Sequence, residues 1–260
     1  MHSPNPAAQS ELPRAAADVL ARLRARAPRV HCVTNTVAQN FTANVLLAAG
    51  CVPSMTLSAN EVGDFVSRSN ALLINLGTFD RERREAVEIA VETASEAKLP
   101  WVLDPVFVDR APDRAGFARE LAARGPAAVR LNAAEFTTLF GGGPDRDALV
   151  RAAAANKLVV ALSGATDFVS DGTRIALLGN GHPLMAKVTA MGCAGSALVA
   201  ACLAVEADAF RAVTAGMLLL GVAGELAARD ARGPGSFAAA IIDALHALDE
   251  AAVMRLARVS

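Results

Sequence analysis

Two kinds of run alternate along the chain. Short apolar runs appear as "RVHCVT" (Arg29–Thr34), "VPSMTL" (Val52–Leu57), "ALLINLG" (Ala71–Gly77), "PWVLDP" (Pro100–Pro105), "AAVRLN" (Ala127–Asn132) and "KLVVALSG" (Lys157–Gly164). Each is brief, rich in β-branched or leucyl residues, and closes on polar or turn residues, which predicts a strand. Helical patterns lie between them. The clearest spans Asp80 to Lys98, with Ala86, Ile89, Ala90, Thr93 and Ala97 on one face and Asp80 placed to cap the first turn. Strand and helix in strict alternation predict parallel pairing with helices on both faces of the sheet. The near-continuous apolar strands agree, because both faces of such a sheet are covered. After Gly164 the rhythm changes: Asp167 to Leu178 reads as a hairpin turning at Asp171-Gly172. A helical section from Gly192 to Val253 follows, punctuated at Arg232–Phe237, and Gly141–Asp145 reads as a loop between two helices. The expectation is one α/β domain over residues 16–260, a three-layer α/β/α sandwich, after a frayed polar start over residues 1–15.

Two stretches, Val188–Val205 and Arg211–Asp230, are apolar enough to raise the question of a membrane. The first is built from Ala, Gly, Ser and Cys rather than Leu, Ile or Phe, which suits a helix buried between a sheet and another helix. No membrane contact is expected. The formal net charge of −1 excludes the basic stripe of a nucleic-acid binder. Cys32, Cys51, Cys193 and Cys202 match no metal or redox spacing, and the first twenty residues have no apolar leader core. Free thiols in a reducing cytoplasm are therefore expected. His31, Cys32, Cys51, Cys202 and Trp101 read as packing residues.

Ligands of open parallel sheets bind beyond the carboxyl ends of the strands, so the residues that follow each run carry the chemistry. These are Thr34-Asn35, Met55 to Asn60, Gly77, Asp104-Pro105, Arg130 to Glu135 and Ser163-Gly164. Gly192-Cys193-Ala194-Gly195 opens a long apolar helix. Small residues at a helix N-terminus let an anion reach free N–H groups, so Gly192, Ala194 and Gly195 are candidates for an anion hole. Cys193 inside it is expected to have a lowered thiol pKa. The alternative is a small residue filling a tight helix–sheet contact. Asp104 and Glu135 at one sheet edge are candidate Mg²⁺ ligands, directly or through water. Singly, Asp104 also fits a turn and Glu135 a capping position.

With these residues in view, the chain resembles the hydroxyethylthiazole kinase family, of the ribokinase-like fold. The resemblance rests on seven segments in order: Val30–Gly50, Val52–Phe65, Asn70–Thr78, Trp101–Val106, Val129–Phe136, Asn180–Ser196 and Gly233–Phe237. It implies ATP- and Mg²⁺-dependent phosphorylation of the alcohol of 4-methyl-5-(2-hydroxyethyl)thiazole, in a homotrimer with sites at subunit interfaces. It also implies roles: Met55, Ala190 and Asn35 beside the thiazole, Arg130 and Ser163 on ATP, Asp104 and Glu135 at the magnesium site, and Cys193 where many ribokinase-like enzymes carry an aspartate base. A kinase for another small alcohol, a lyase acting on hydrated nicotinamide nucleotides, and a non-catalytic nucleotide-binding homologue are the alternatives.

The chain departs from the family pattern in several places. Ala190-Met191 stands where the family has Gly-Thr, Phe107 and Asp109 replace two glycines, and Ala165 replaces a glutamate. Where glycine supplied a positive φ, a side chain costs about 1 kcal/mol or more unless the loop shifts.

Overall fold

The computed structural model describes residues 6–260. Eight strands form one sheet in the order β2-β1-β3-β4-β5-β6-β7-β8. They are β1 (Arg29–Val33), β2 (Val52–Ser54), β3 (Ala71–Asn75), β4 (Trp101–Asp104), β5 (Ala128–Leu131), β6 (Val159–Leu162), β7 (Asp167–Ser170) and β8 (Ile175–Leu178). β1 to β6 pair in parallel, and β7 and β8 continue the sheet antiparallel. The expected hairpin is thus present, with Gly172 at φ 91° in its turn. The first six runs are all strands, but β2 is short: Met55 to Leu57 leave the sheet as a loop.

Side chains alternate strictly across the sheet. Val30, Cys32, Ala71, Leu73, Val102 and Ala128 point to one core. Leu72, Ile74, Trp101, Leu103, Val129 and Leu131 point to the other. The first core is closed by α1 (Pro6–Arg26), α2 (Gln39–Ala48), α8 (Met191–Leu203), α9 (Ala209–Ala228), α10 (Pro234–Ala247) and α11 (Glu250–Leu256). The second is closed by α3 (Val62–Ser67), α4 (Arg81–Glu96), α5 (Pro112–Ala122), α6 (Ala133–Phe140) and α7 (Arg146–Asn156). This is the three-layer α/β/α sandwich expected from the alternation.

Two details differ from the sequence reading. The polar start is helical from Pro6, because Pro13, Ala16, Ala17 and Leu20 bury against the first core; residues 1–5 of that start lie outside the described residues. On α4 the buried stripe is Ala86, Val87, Ala90, Val91 and Ala94. Ile89 and Thr93 sit at its margin against α3, where Gly63 lets the two helices close in. Asp80 does cap α4, its side chain accepting from Arg83 N–H at 2.8 Å. Finally, α9 is long and apolar enough to cross a membrane, but 78% of its apolar window is buried inside the protein, and α8 has only 13 residues. Both are core helices.

Candidate active site

The carboxyl ends of β1, β3, β4 and β5 converge on the N-terminus of α8. The residue before α8, Ala190, adopts φ 71° and ψ 0°, the left-handed conformation that glycine tolerates best. Phe107, in the loop after β4, does the same at φ 61°. At both positions, then, a residue with a side chain holds a positive φ and carries the strain.

The left-handed Ala190 sets which N–H groups are free. Its carbonyl accepts from Ala194 N–H at 2.9 Å, and Met191 N–H bonds to the Val188 carbonyl at 3.4 Å. The N–H groups of Gly192 and Cys193 have no partner among the described residues. The expectation of free donors at Gly192, Ala194 and Gly195 is therefore corrected at Ala194, whose N–H is spent inside the helix; the free pair is Gly192 and Cys193. Gly195 has a different use. A Cβ there would stand 3.4 Å from the Arg130 guanidinium carbon and 3.0 Å from Leu220, so its bare backbone makes room for Arg130.

Arg130 donates to the Gly192 carbonyl at 3.0 Å. It also faces Asp104 and Asp167, and its Nε has no partner. Arg130, Ser163, Gly192 and Gly195 share a cavity of about 580 Å³ with Asp167, His182, Met185, Met191 and Leu220. Met191 is thus part of the apolar wall, which resolves where its long arm goes. Ser163 donates its hydroxyl to the Leu131 carbonyl at 3.2 Å.

On the other side of Arg130 lie Asp104 and Cys193. Asp104 is buried, and burial pushes its carboxyl up, while Arg130, Ser196 and Asn75 work against the rise. Glu135 is buried as well. Burial raises it, the Asn132 and Phe107 N–H groups oppose, and the nearby Asp104 and Asp109 charges raise it further. Its oxygens accept from Asn132 N–H at 2.9 Å and Phe107 N–H at 3.1 Å, so Glu135 completes a capping box on α6 while standing at the site. The expectation of a lowered Cys193 thiol is overturned. Burial, and then the Asp104 charge, push it up to about 11, against the smaller pulls of Asn35, Asn75 and Arg130. A helix terminus acidifies a thiol only where water or cations do not have to be traded for a low-dielectric wall.

Asn35 is brought against Cys193, its amide donating to the sulfur at 3.3 Å. Ala190 adjoins them in sequence at the head of α8. Met55 does not line the cavity; it sits in the loop after edge strand β2, half-buried against the α2 side of the core. Among the described residues no three acidic, His or Cys side chains converge as a metal cluster. Two residues of the site escaped the sequence reading, Asn75 and Asp167. Asn75 is the one polar residue ending the otherwise apolar β3, a signal that was present in "ALLIN". Asp167 opens β7 and accepts from Gly164 N–H at 2.8 Å.

The fold alone is shared with remote proteins. A ribokinase-like protein from Enterococcus faecalis V583 superposes with a TM-score of 0.64 at 12% identity, covering 85% of this chain and 88% of that one. The architecture is thus the ribokinase-like α/β fold. The particular family is shown by closer matches. The hydroxyethylthiazole kinase family model matches residues 20–251. A probable hydroxyethylthiazole kinase of Agrobacterium fabrum is 43% identical over 244 residues, 94% of each chain. The structure of a hydroxyethylthiazole kinase from Pyrococcus horikoshii OT3 superposes with a TM-score of 0.91 at 36% identity, over 94% of this chain and 98% of that one. The chain belongs to the hydroxyethylthiazole kinase family.

Proposed function

We propose that the protein transfers the γ-phosphoryl group of ATP to the primary alcohol of 4-methyl-5-(2-hydroxyethyl)thiazole. The observation that carries this reading is the head of α8, where two unpaired N–H groups and Arg130 stand between a nucleotide-sized cavity and the Cys193–Asn35 pair. ATP fills the cavity, with its phosphates reaching Arg130 and Ser163. Phosphoryl transfer runs through a loose transition state, so alignment and charge neutralisation do most of the work. The Gly192 and Cys193 N–H groups take up charge on the transferred oxygens, and Arg130 holds the triphosphate in line.

Asp104 and Glu135 fit Mg²⁺. They are two buried carboxylates at one sheet edge, and the Asp104 charge adds to the raised proton affinity of Glu135. Mg²⁺ needs only one or two carboxylates beside water and phosphate. Asp104 and Glu135 would hold it, and it would supply neutralising charge to the phosphate oxygens. Cys193, protonated at neutral pH, positions the alcohol rather than removing its proton.

Met55, Asn35 and Cys193 do not line the cavity, and Met55 follows edge strand β2. Exposed apolar residues Val37, Leu47, Val52 and Phe65 lie on the elements at that edge. This supports a neighbouring subunit closing the thiazole pocket, as in the homotrimer that the family resemblance implies. Phosphorus NMR of a mixture of protein, ATP, Mg²⁺ and the thiazole alcohol tests the reaction. One new phosphate monoester should appear per ADP formed; bound ATP with no monoester contradicts the proposal.

A further inference from the structure

Asn75 is only 2% exposed, yet both of its polar atoms are engaged. Its Nδ2 donates to Asp104 Oδ2 at 2.7 Å. Its Oδ1 accepts from Gly77 N–H at 3.1 Å and from Asn35 Nδ2 at 3.1 Å. Asn35 in turn accepts from Ala38 N–H at 2.9 Å through Oδ1 and donates from Nδ2 to Cys193 Sγ at 3.3 Å.

The orientation of both amides follows from backbone donors. A backbone N–H can only donate, so the atom facing Gly77 N–H must be the oxygen of Asn75, and the atom facing Ala38 N–H must be the oxygen of Asn35. Both hydrogens of Asn35 Nδ2 are then assigned, one to Asn75 and one to the sulfur. Because the sulfur accepts from Asn35, the S–H hydrogen of Cys193 is directed away from Asn35. Gly77 belongs to the same device. A Cβ there would lie 2.6 Å from Asn35 Nδ2, so any side chain would displace Asn35.

We infer that Asn75 is a positioning residue for phosphoryl transfer: through its own amide it holds Asp104, and through Asn35, seated over Gly77, it sets the direction of the Cys193 thiol. The inference rests on the proposed roles of Asp104 and Cys193. Asn75 itself touches no substrate. Its contribution is that two groups on separate elements, β4 and α8, keep a common geometry while phosphate and alcohol come and go. A displacement of about 1 Å in such a site can cost on the order of 100-fold in rate.

Steady-state kinetics on the full-length protein test this, with ATP, Mg²⁺ and the thiazole alcohol as probes and a thermal melt on every variant. Asn75→Ala and Gly77→Ala should each lower kcat roughly 10- to 100-fold while KM for ATP stays within about twofold, because the cavity around Arg130 and Ser163 is untouched. In a Cys193→Ala background, Gly77→Ala should cost less than about twofold more, since its effect passes through the thiol. Gly77→Ala, in the turn after β3, carries the test alone if Asn75→Ala does not fold. The inference is overturned if kcat stays within twofold, if KM for ATP rises in step with the loss, or if the losses in the double variant multiply. Should Cys193→Ala and Asp104→Asn be impaired while the Asn75 and Gly77 variants are not, this inference alone fails. Should Cys193→Ala and Asp104→Asn also keep full activity, the proposed reading of the site fails with it.

Discussion

Cys193 stands at the first turn of a helix, where a thiol would ordinarily become more acidic, yet its surroundings drive it the other way. Burial and the Asp104 charge outweigh the Asn35 and Asn75 hydrogen bonds and the Arg130 charge. A thiol pKa near 11 leaves on the order of one thiolate in a thousand at pH 8. Alkylation of Cys193 by iodoacetamide, followed by mass spectrometry, should therefore be slow at neutral pH and climb until about pH 11. A plateau reached near pH 7 would contradict this balance. Ala190 carries the second residue-scale consequence. At φ 71° its methyl group is strained, and Ala190→Gly relieves that strain at the cost of a more flexible unfolded chain. The net expected gain is roughly 0.5–1 kcal/mol in urea unfolding. A loss of stability would mean the methyl makes contacts that outweigh the strain.

Elements were the most legible scale in the sequence. All six runs formed strands because a sheet covered on both faces demands uninterrupted apolar residues, and that demand is written directly in residue order. The helix stripe on α4 was displaced because Ala, Val and Ile at neighbouring positions give a broad apolar arc, and packing into the second core, with α3 at the margin, decided its centre. The small residues of α8 and α9 gave a composition signal without a partner. The structure supplies one: a Cβ at Gly216 would meet Val199 Cα at 2.9 Å, so the two helices touch backbone to backbone. Gly216→Ala should then destabilise the fold by about 1–3 kcal/mol, read by urea denaturation. A change below about 0.5 kcal/mol would show that the helices separate at no cost.

At the scale of the whole molecule, the residues proposed to hold ATP share one cavity within the chain, whereas Met55, proposed for the thiazole, lies outside it. The sequence made most of the site legible, since Asp104 and Arg130 lie at the carboxyl ends of β4 and β5, Ser163 follows β6, and Gly192–Cys193 open α8. It could not show Asn75 or Asp167 at work, because their roles depend on which strands end beside one another: β3 next to β4, and β7 folded back on β6. Nor could it show that Ala194 N–H is spent inside the helix, which depends on the φ of Ala190. If a neighbour completes the pocket, light scattering should give three times the mass of one chain. Phe65→Asp, on the exposed apolar edge, should shift the protein to single chains and raise KM for the thiazole alcohol. Single chains of wild-type protein with full activity would contradict the interface reading.

The most direct measurement is steady-state ADP release with ATP and Mg²⁺, with and without the thiazole alcohol, for wild-type protein beside Arg130→Ala and Cys193→Ala. The account predicts release that depends on the alcohol, with both variants impaired and Arg130→Ala also weakened for ATP. Release at background with the alcohol present, while ATP still binds the wild-type protein, would contradict it.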